Sequence, residues 1–205
     1  MVTLLLRVGV LAVQGDVREH INSLTSLSVA VQKVRNPEEL KTVNALVIPG
    51  GESTTISMLA KRVGLMDPLR KFVKDGFAVY GSCAGMIMLA DEILDGRSDQ
   101  ETIGGLDITV RRNAFGRQVD SFETDLTVKD FDKSFRAIFI RAPWVERVGE
   151  SVEVLAAVTT ENGSQHPVMV RQGSVLATAF HPELTNDNRV HEYFVQMAKS
   201  VSAAN

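Results

Sequence analysis

The sequence predicts an α/β protein built as one domain on a largely parallel sheet. Short apolar runs alternate with stretches of helical periodicity, which is the rhythm of βαβ units. Two of those runs end in glycine-rich turns, Pro49-Gly50-Gly51-Glu52-Ser53 and Gly81-Ser82-Cys83-Ala84-Gly85, before helical patterning resumes. The 205-residue length suits a single core, and no repeat, low-complexity tract or linker divides residues 1–205.

Val8–Val13 reads as the first strand, followed by the turn Gln14-Gly15-Asp16 and a helix through Leu27. Val29–Val34 and Ala45–Ile48 are short and apolar enough to be the next two strands. Helical spacing returns over Thr54–Arg62 and Asp67–Lys74. A fourth strand, Phe77–Tyr80, then enters the cysteine turn, and a helix is expected over Met86–Leu94. Asp95–Gly105 is polar and rich in Gly and Asp, so it reads as a surface loop. Beyond it, Ile108–Arg111, Phe122–Val128, Ala137–Ile140, Val152–Val158, Val168–Arg171 and Val175–Ala179 lean towards strands. A closing helix sets Val190, Tyr193, Phe194, Met197, Ala198 and Val201 on one face, at the i, i+3, i+4, i+7 spacing.

Composition narrows the function. A net charge of −3 argues against nucleic acid, whose binders carry a basic stripe. The apolar start, Val2–Val13, is interrupted by Arg7 and is shorter than the roughly 20 residues of a membrane span. No export signal is visible, so a cytoplasmic location is expected. One cysteine excludes an internal disulfide and any multi-cysteine metal site.

That cysteine stands in a strand–turn–helix of form G-x-C-x-G. Small residues flank a nucleophile there because the turn is tight and the backbone passes close by. At a helix N-terminus, with an imidazolium nearby, a thiol pKa can fall from about 8.5 to between about 3.5 and 7.5. The amide of Ala84 would point where an oxyanion forms, and an N–H from Gly51 would complete the hole. Of the four histidines, His20 and His191 lie on expected helices beside charged residues and read as solvated. His166, in a turn before Pro167, is also expected to be exposed. His181 differs, because it follows the apolar run Val175–Phe180 and precedes Pro182-Glu183. Proline keeps His181 extended, so His181 and Glu183 can share a side, with the carboxylate orienting the ring towards the thiol. All three elements fall at the carboxyl ends of expected strands, where parallel sheets bind ligands.

In this order, P-G-G-E-S, G-S-C-A-G and H-P-E resemble the triad-type glutamine amidotransferases. Val13–His20, Arg112–Glu123 and Phe139–Pro143 narrow the resemblance to the glutaminase subunits of pyridoxal phosphate synthases, over nearly the whole chain. The fold implied is three-layer, flavodoxin-like and mostly parallel. The resemblance makes Cys83 the nucleophile, His181 the general base and acid, and Glu183 its orienting partner. Gly51, Glu52, Ser53, Arg112, Ile140 and Arg141 would contact L-glutamine, and Gln14 would lie near a synthase partner. Ser82 stands where such subunits often carry threonine. The implied reaction hydrolyses glutamine through a cysteinyl thioester, and the ammonia passes to a synthase that builds pyridoxal phosphate from a pentose phosphate and a triose phosphate. No cofactor or metal is implied for this chain. Arg111, Arg117 and Arg147 are expected to be surface or interface charges, and Trp144 either lines the site mouth or packs. A glutaminase of another biosynthetic pathway, a cysteine hydrolase acting on peptides or esters, and a non-catalytic module of the same fold remain open alternatives.

Overall fold

A computed structural model describes residues 6–97, 99–115, 121–160 and 162–204. Its first half follows the expected alternation. β1 (Arg7–Leu11), α1 (Val17–Ser26), β2 (Ala30–Val34), α2 (Pro37–Leu40) and β3 (Ala45–Ile48) lead to α3 (Ser53–Arg62) and α4 (Met66–Lys74). β4 (Ala78–Ser82) then feeds α5 (Ala84–Leu89). The second half is strand-rich: β5 (Ala90–Leu94), β6 (Leu106–Arg111), β7 (Ser121–Leu126), β8 (Phe135–Ile140), β9 (Trp144–Val148), β10 (Glu153–Thr159), β11 (Gln165–Gln172) and β12 (Val175–Thr178). A 3-10 turn (Pro182–Leu184) and α6 (Arg189–Ala204) close the chain.

Among the described residues, seven strands form the central sheet in the order β10-β11-β12-β4-β3-β1-β2. β2, β1, β3, β4 and β12 are mutually parallel, while β10 and β11 extend the sheet antiparallel. β3 and β4 are buried along their whole length, as parallel strands covered on both faces must be. β4 sits between β3 and β12, with Ile48 opposite Gly81 and Thr178 opposite Ser82. The ends of these three strands therefore meet, and the three motifs of the sequence follow directly from them.

One expectation needs correction. The helix expected over Met86–Leu94 stops at Leu89. Ala90 turns to extended angles, φ −67° and ψ 143°, and Ala90–Leu94 is a strand pairing in parallel with β6. Trp144–Val148 is also a strand, completing a second sheet of order β5-β6-β9. β7 and β8 form a separate antiparallel pair that carries Ile140 to the end of β12, through the Ile138 carbonyl and the His181 amide at 2.9 Å. Gly116–Asp120, part of the Arg112–Glu123 block, lie outside the described residues, as does Arg117.

Candidate active site

Cys83 links β4 to α5 with φ 47° and ψ −101°. A positive φ in a non-glycine residue is strained and persists only where the surroundings hold it. Here the Cys83 amide donates to the Thr178 carbonyl at 2.7 Å, tying the turn to β12. The flanking glycines have a steric reason. A Cβ on Gly81 would overlap the Gly85 backbone, and one on Gly85 would overlap the Ile48 carbonyl oxygen. α5 can therefore sit directly on the ends of β3 and β4, and the thiol is left 3.9 Å from the Ile140 carbonyl.

His181 is buried and meets two carboxylates at once. Its Nδ1 lies 2.8 Å from Glu183 Oε1 and 3.5 Å from Asp16 Oδ2. Burial opposes a charged ring, but the neighbouring Asp16, Cys83 and Glu183 outweigh it, and the His181 pKa is pushed up to about 12. Burial likewise opposes the Glu183 anion. The pull of His20 and the hydrogen bond to His181 more than offset that, holding the carboxyl below the usual carboxylate range. Asp16 was not among the residues singled out from sequence. It enters because the Gln14–Asp16 turn packs on Gly50, whose carbonyl accepts from the Asp16 amide at 3.1 Å.

His20 and His191 are not solvated. Both are fully buried, and their rings stand edge-on to Tyr80 of β4. His20 belongs to the apolar face of α1 with Val17, Ile21 and Leu24, and His191 to that of α6 with Phe194 and Ala198, at i, i+3, i+4 and i+7 spacings. That register was the available signal, and charged neighbours in sequence obscured it. His20 Nε2 lies 2.9 Å from Ser82 Oγ and 3.4 Å from Glu183 Oε1, and its Nδ1 lies 3.0 Å from His191 Nε2. His166 is half-buried and stacks on Trp144 with ring centroids 3.7 Å apart. Trp144 packs there and against Phe115, while its indole N–H donates to Glu146.

Of the remaining expected residues, Glu52 and Arg112 pair directly, and Ser53 is tied to Arg112 through Gln100. Gly51 has φ 150°, and a Cβ on it would crowd Gln14 Oε1, which accepts instead from the Glu52 amide at 2.9 Å. Glu52 caps α3 by accepting from the Thr55 amide at 2.8 Å, and its other oxygen pairs with Arg112 at 2.9 Å. Arg112 also donates to Gln100 Oε1, whose amide nitrogen donates to Ser53 Oγ, so Gln100 joins two expected glutamine contacts. Arg141 is exposed, with φ 42°, directly after Ile140. Arg111 pairs with Asp95 and Glu146, and Arg147 with Asp107, which makes them the surface charges expected.

Asp16, His181 and Glu183 bring one potential metal-ligand atom each within 4.8 Å of one another. The two carboxylate oxygens converge on His181 Nδ1, which cannot donate to carboxylates and ligate a cation together. The cluster is explained by its hydrogen bonds. Among the described residues, no helix is long and apolar enough to cross a membrane.

Comparison with known proteins places this geometry. The model of the SNO glutamine amidotransferase family matches residues 10–200. The chain is 60% identical over 193 residues to the pyridoxal 5'-phosphate synthase subunit PdxT of Mycobacteroides abscessus, a match covering 94% of this chain and 97% of that one. It is likewise 60% identical over 194 residues to the PdxT of Streptomyces avermitilis, with 94% of each chain covered. A crystal structure of a glutamine amidotransferase aligns with a TM-score of 0.85 at 52% identity, over 93% of this chain and 98% of that one. PurLQS from Thermotoga maritima, at 16% identity and a TM-score of 0.70, covers 94% of this chain and 99% of that one, and shares the fold. The chain belongs to the SNO glutamine amidotransferase family.

Proposed function

We propose that this chain is the glutaminase subunit of a cytoplasmic pyridoxal phosphate synthase, working as one catalytic domain. The observation that carries the chemistry is the strained Cys83 at the end of β4, together with a buried His181 held 2.8 Å from Glu183 at the end of neighbouring β12. The relatives' names supply the pathway.

In this reading, glutamine lies over α3 with its α-ammonium towards Glu52 and its α-carboxylate towards Arg112, which has donors to spare for a planar acceptor. Ser53, Ile140 and Arg141 border the side chain. The Cys83 thiolate attacks the amide carbon, the amides of Gly51 and Ala84 receive the oxyanion, and His181 protonates the departing ammonia. Water, activated by His181, then cleaves the thioester and releases glutamate. One oxyanion donor is worth about 2.7–4 kcal/mol of barrier. The ammonia passes to the synthase subunit. Gln14 lies on the docking side, and its bond to the Glu52 amide connects that side to Gly51.

The test is a glutamate-release assay on the chain together with its synthase subunit. Equimolar glutamate and ammonia are expected, and both should vanish with Cys83→Ala while the fold persists. Turnover in that variant would overturn the assignment.

A further inference from the structure

Behind the Cys83–His181–Glu183 cluster runs a second line of polar groups that the reaction as written does not use. It passes from Glu183 through Ser82 and His20 to His191, and every member is buried. The groups come from four separate elements: the 3-10 turn, β4, α1 and α6. Burying two imidazoles and a hydroxyl against a carboxylate is costly unless each is paired, so the line calls for an account. Four distances define it: 3.5 Å from Ser82 Oγ to Glu183 Oε1, 3.4 Å from His20 Nε2 to the same oxygen, 2.9 Å from His20 Nε2 to Ser82 Oγ, and 3.0 Å between His20 Nδ1 and His191 Nε2.

Resting on the glutaminase reading, we propose that His20, locked by His191, is a positioning residue that aims Glu183 at His181. The proton positions follow from the acceptors. A bare His20 Nε2 would face an anionic Glu183 oxygen, lone pair against lone pair, so His20 Nε2 carries a hydrogen. Among the described residues, His191 Nδ1 has no partner in its buried site. An N–H stranded there would lose its hydrogen bond outright, so His191 carries its single proton on Nε2 and donates it to His20 Nδ1. Burial and the neighbouring His20 hold the His191 pKa down to about 3, which keeps that ring neutral. Every donor in the line then points towards Glu183 Oε1, the oxygen that accepts from His181. Removing His20 loosens that oxygen's hold, and among the described residues Glu183 Oε2 has no partner to restrain the carboxylate.

The titratable groups facing His20 are Tyr80 of β4, Glu183 of the 3-10 turn and His191 of α6, with Cys83 next to Ser82 and Asp16 at the N-cap just before α1. Tyr80 does not compete, because its hydroxyl is engaged by Thr178 Oγ1 at 2.9 Å and burial keeps it protonated.

Two measurements test the proposal. Long-range proton–nitrogen NMR of the ¹⁵N-histidine-labelled wild-type chain is expected to show hydrogen on Nε2 of both His20 and His191. A bare His20 Nε2 would overturn the proposal, whatever the enzyme's activity. Glutamine hydrolysis is then compared in the synthase complex for H20F, H20N and H20Q, with thermal melts of each. The amide nitrogen of H20Q can reach the Nε2 position, whereas that of H20N reaches only the Nδ1 position. H20F and H20N are expected to lose about ten- to a hundredfold in kcat, the loss of one hydrogen bond to a charged group, with KM within about twofold. Their acidic limb should move to higher pH as the Glu183 anion loses support, while H20Q stays within about threefold of wild type. Equal losses in H20Q and H20N, or full activity in either H20F or H20N, would overturn the role of His20. Absence of turnover in the wild-type complex would instead sink the glutaminase reading and leave the NMR result to judge the proton positions.

Discussion

Gly50 offers a sensitive probe of the site, because it supports His181 without touching a reacting atom. Its φ lies outside the left-handed range, so alanine brings no backbone strain and the conflict is purely steric. A Cβ there would overlap His181 Cε1 outright and stand 2.9 Å from Nδ1 and 3.0 Å from Asp16 Oδ2, where ordinary contact begins at 3.4 Å. Asp16 is partly exposed and can give way, but it does not relieve the overlap with Cε1. The ring must therefore retreat by about 0.5 Å at Nδ1 and further at Cε1, away from the β3 turn. Displacements approaching 1 Å cost about a hundredfold in well-aligned reactions, or about 2.7 kcal/mol of barrier. Gly50→Ala should thus lower kcat about a hundredfold. KM should move less than about threefold, because Glu52, Ser53 and Arg112 are untouched. Steady-state glutamate release in the synthase complex, with a melt to confirm folding, is the assay. A folded variant with kcat within twofold of wild type would refute the placement of His181 against the β3 turn.

Other expectations follow from the same geometry. Arg112→Ala should raise KM for glutamine at least tenfold by removing a donor to the α-carboxylate, with kcat changed less, and the kcat-against-KM split checks it. Glutamate release by the chain alone should rise when the synthase subunit is added, and equal rates would argue against activation through the Gln14 turn. Stability should depend on pH through the buried pair. Glu183 is held below its unfolded value, so the stability lost in Glu183→Gln should be largest above about pH 4.3 and vanish as acid protonates the wild-type carboxylate. His181 is raised to about 12, so the loss in His181→Asn should be full below about pH 6.5 and shrink as pH climbs towards that value. Melting temperatures across pH measure both.

The parallel half of the fold was legible because β1, β3 and β4 are short apolar runs that end in glycine turns, so strand period, length and punctuation agree. Cys83, His181 and Glu183 were legible for the same reason, each being placed by a strand end rather than by a distant contact. β5 was not. Residues 86–94 are apolar enough to be helix or strand, and only pairing with β6 across the intervening loop ends the helix at Leu89. β9 hid behind Glu146 and Arg147, whose charges face Arg111 and Asp107 on the neighbouring strand. His20 and His191 were misjudged because burial is decided by helix face and not by neighbours in sequence. Asp16 and Gln100 enter through contacts 165 and 12 residues away along the chain, to His181 and Arg112, which no local pattern encodes.

The central claim is that the single thiol is a nucleophile set to receive glutamine. Intact-protein mass spectrometry after incubation with a glutamine analogue bearing an electrophilic ketone in place of the side-chain amide tests it directly. With only one cysteine in the chain, the adduct's site is unambiguous once Cys83→Ala is run beside it. The geometry predicts one adduct per chain, formed at Cys83, slowed by excess L-glutamine and absent in Cys83→Ala. An unlabelled wild-type chain in the active complex, or labelling that persists in Cys83→Ala, would contradict it.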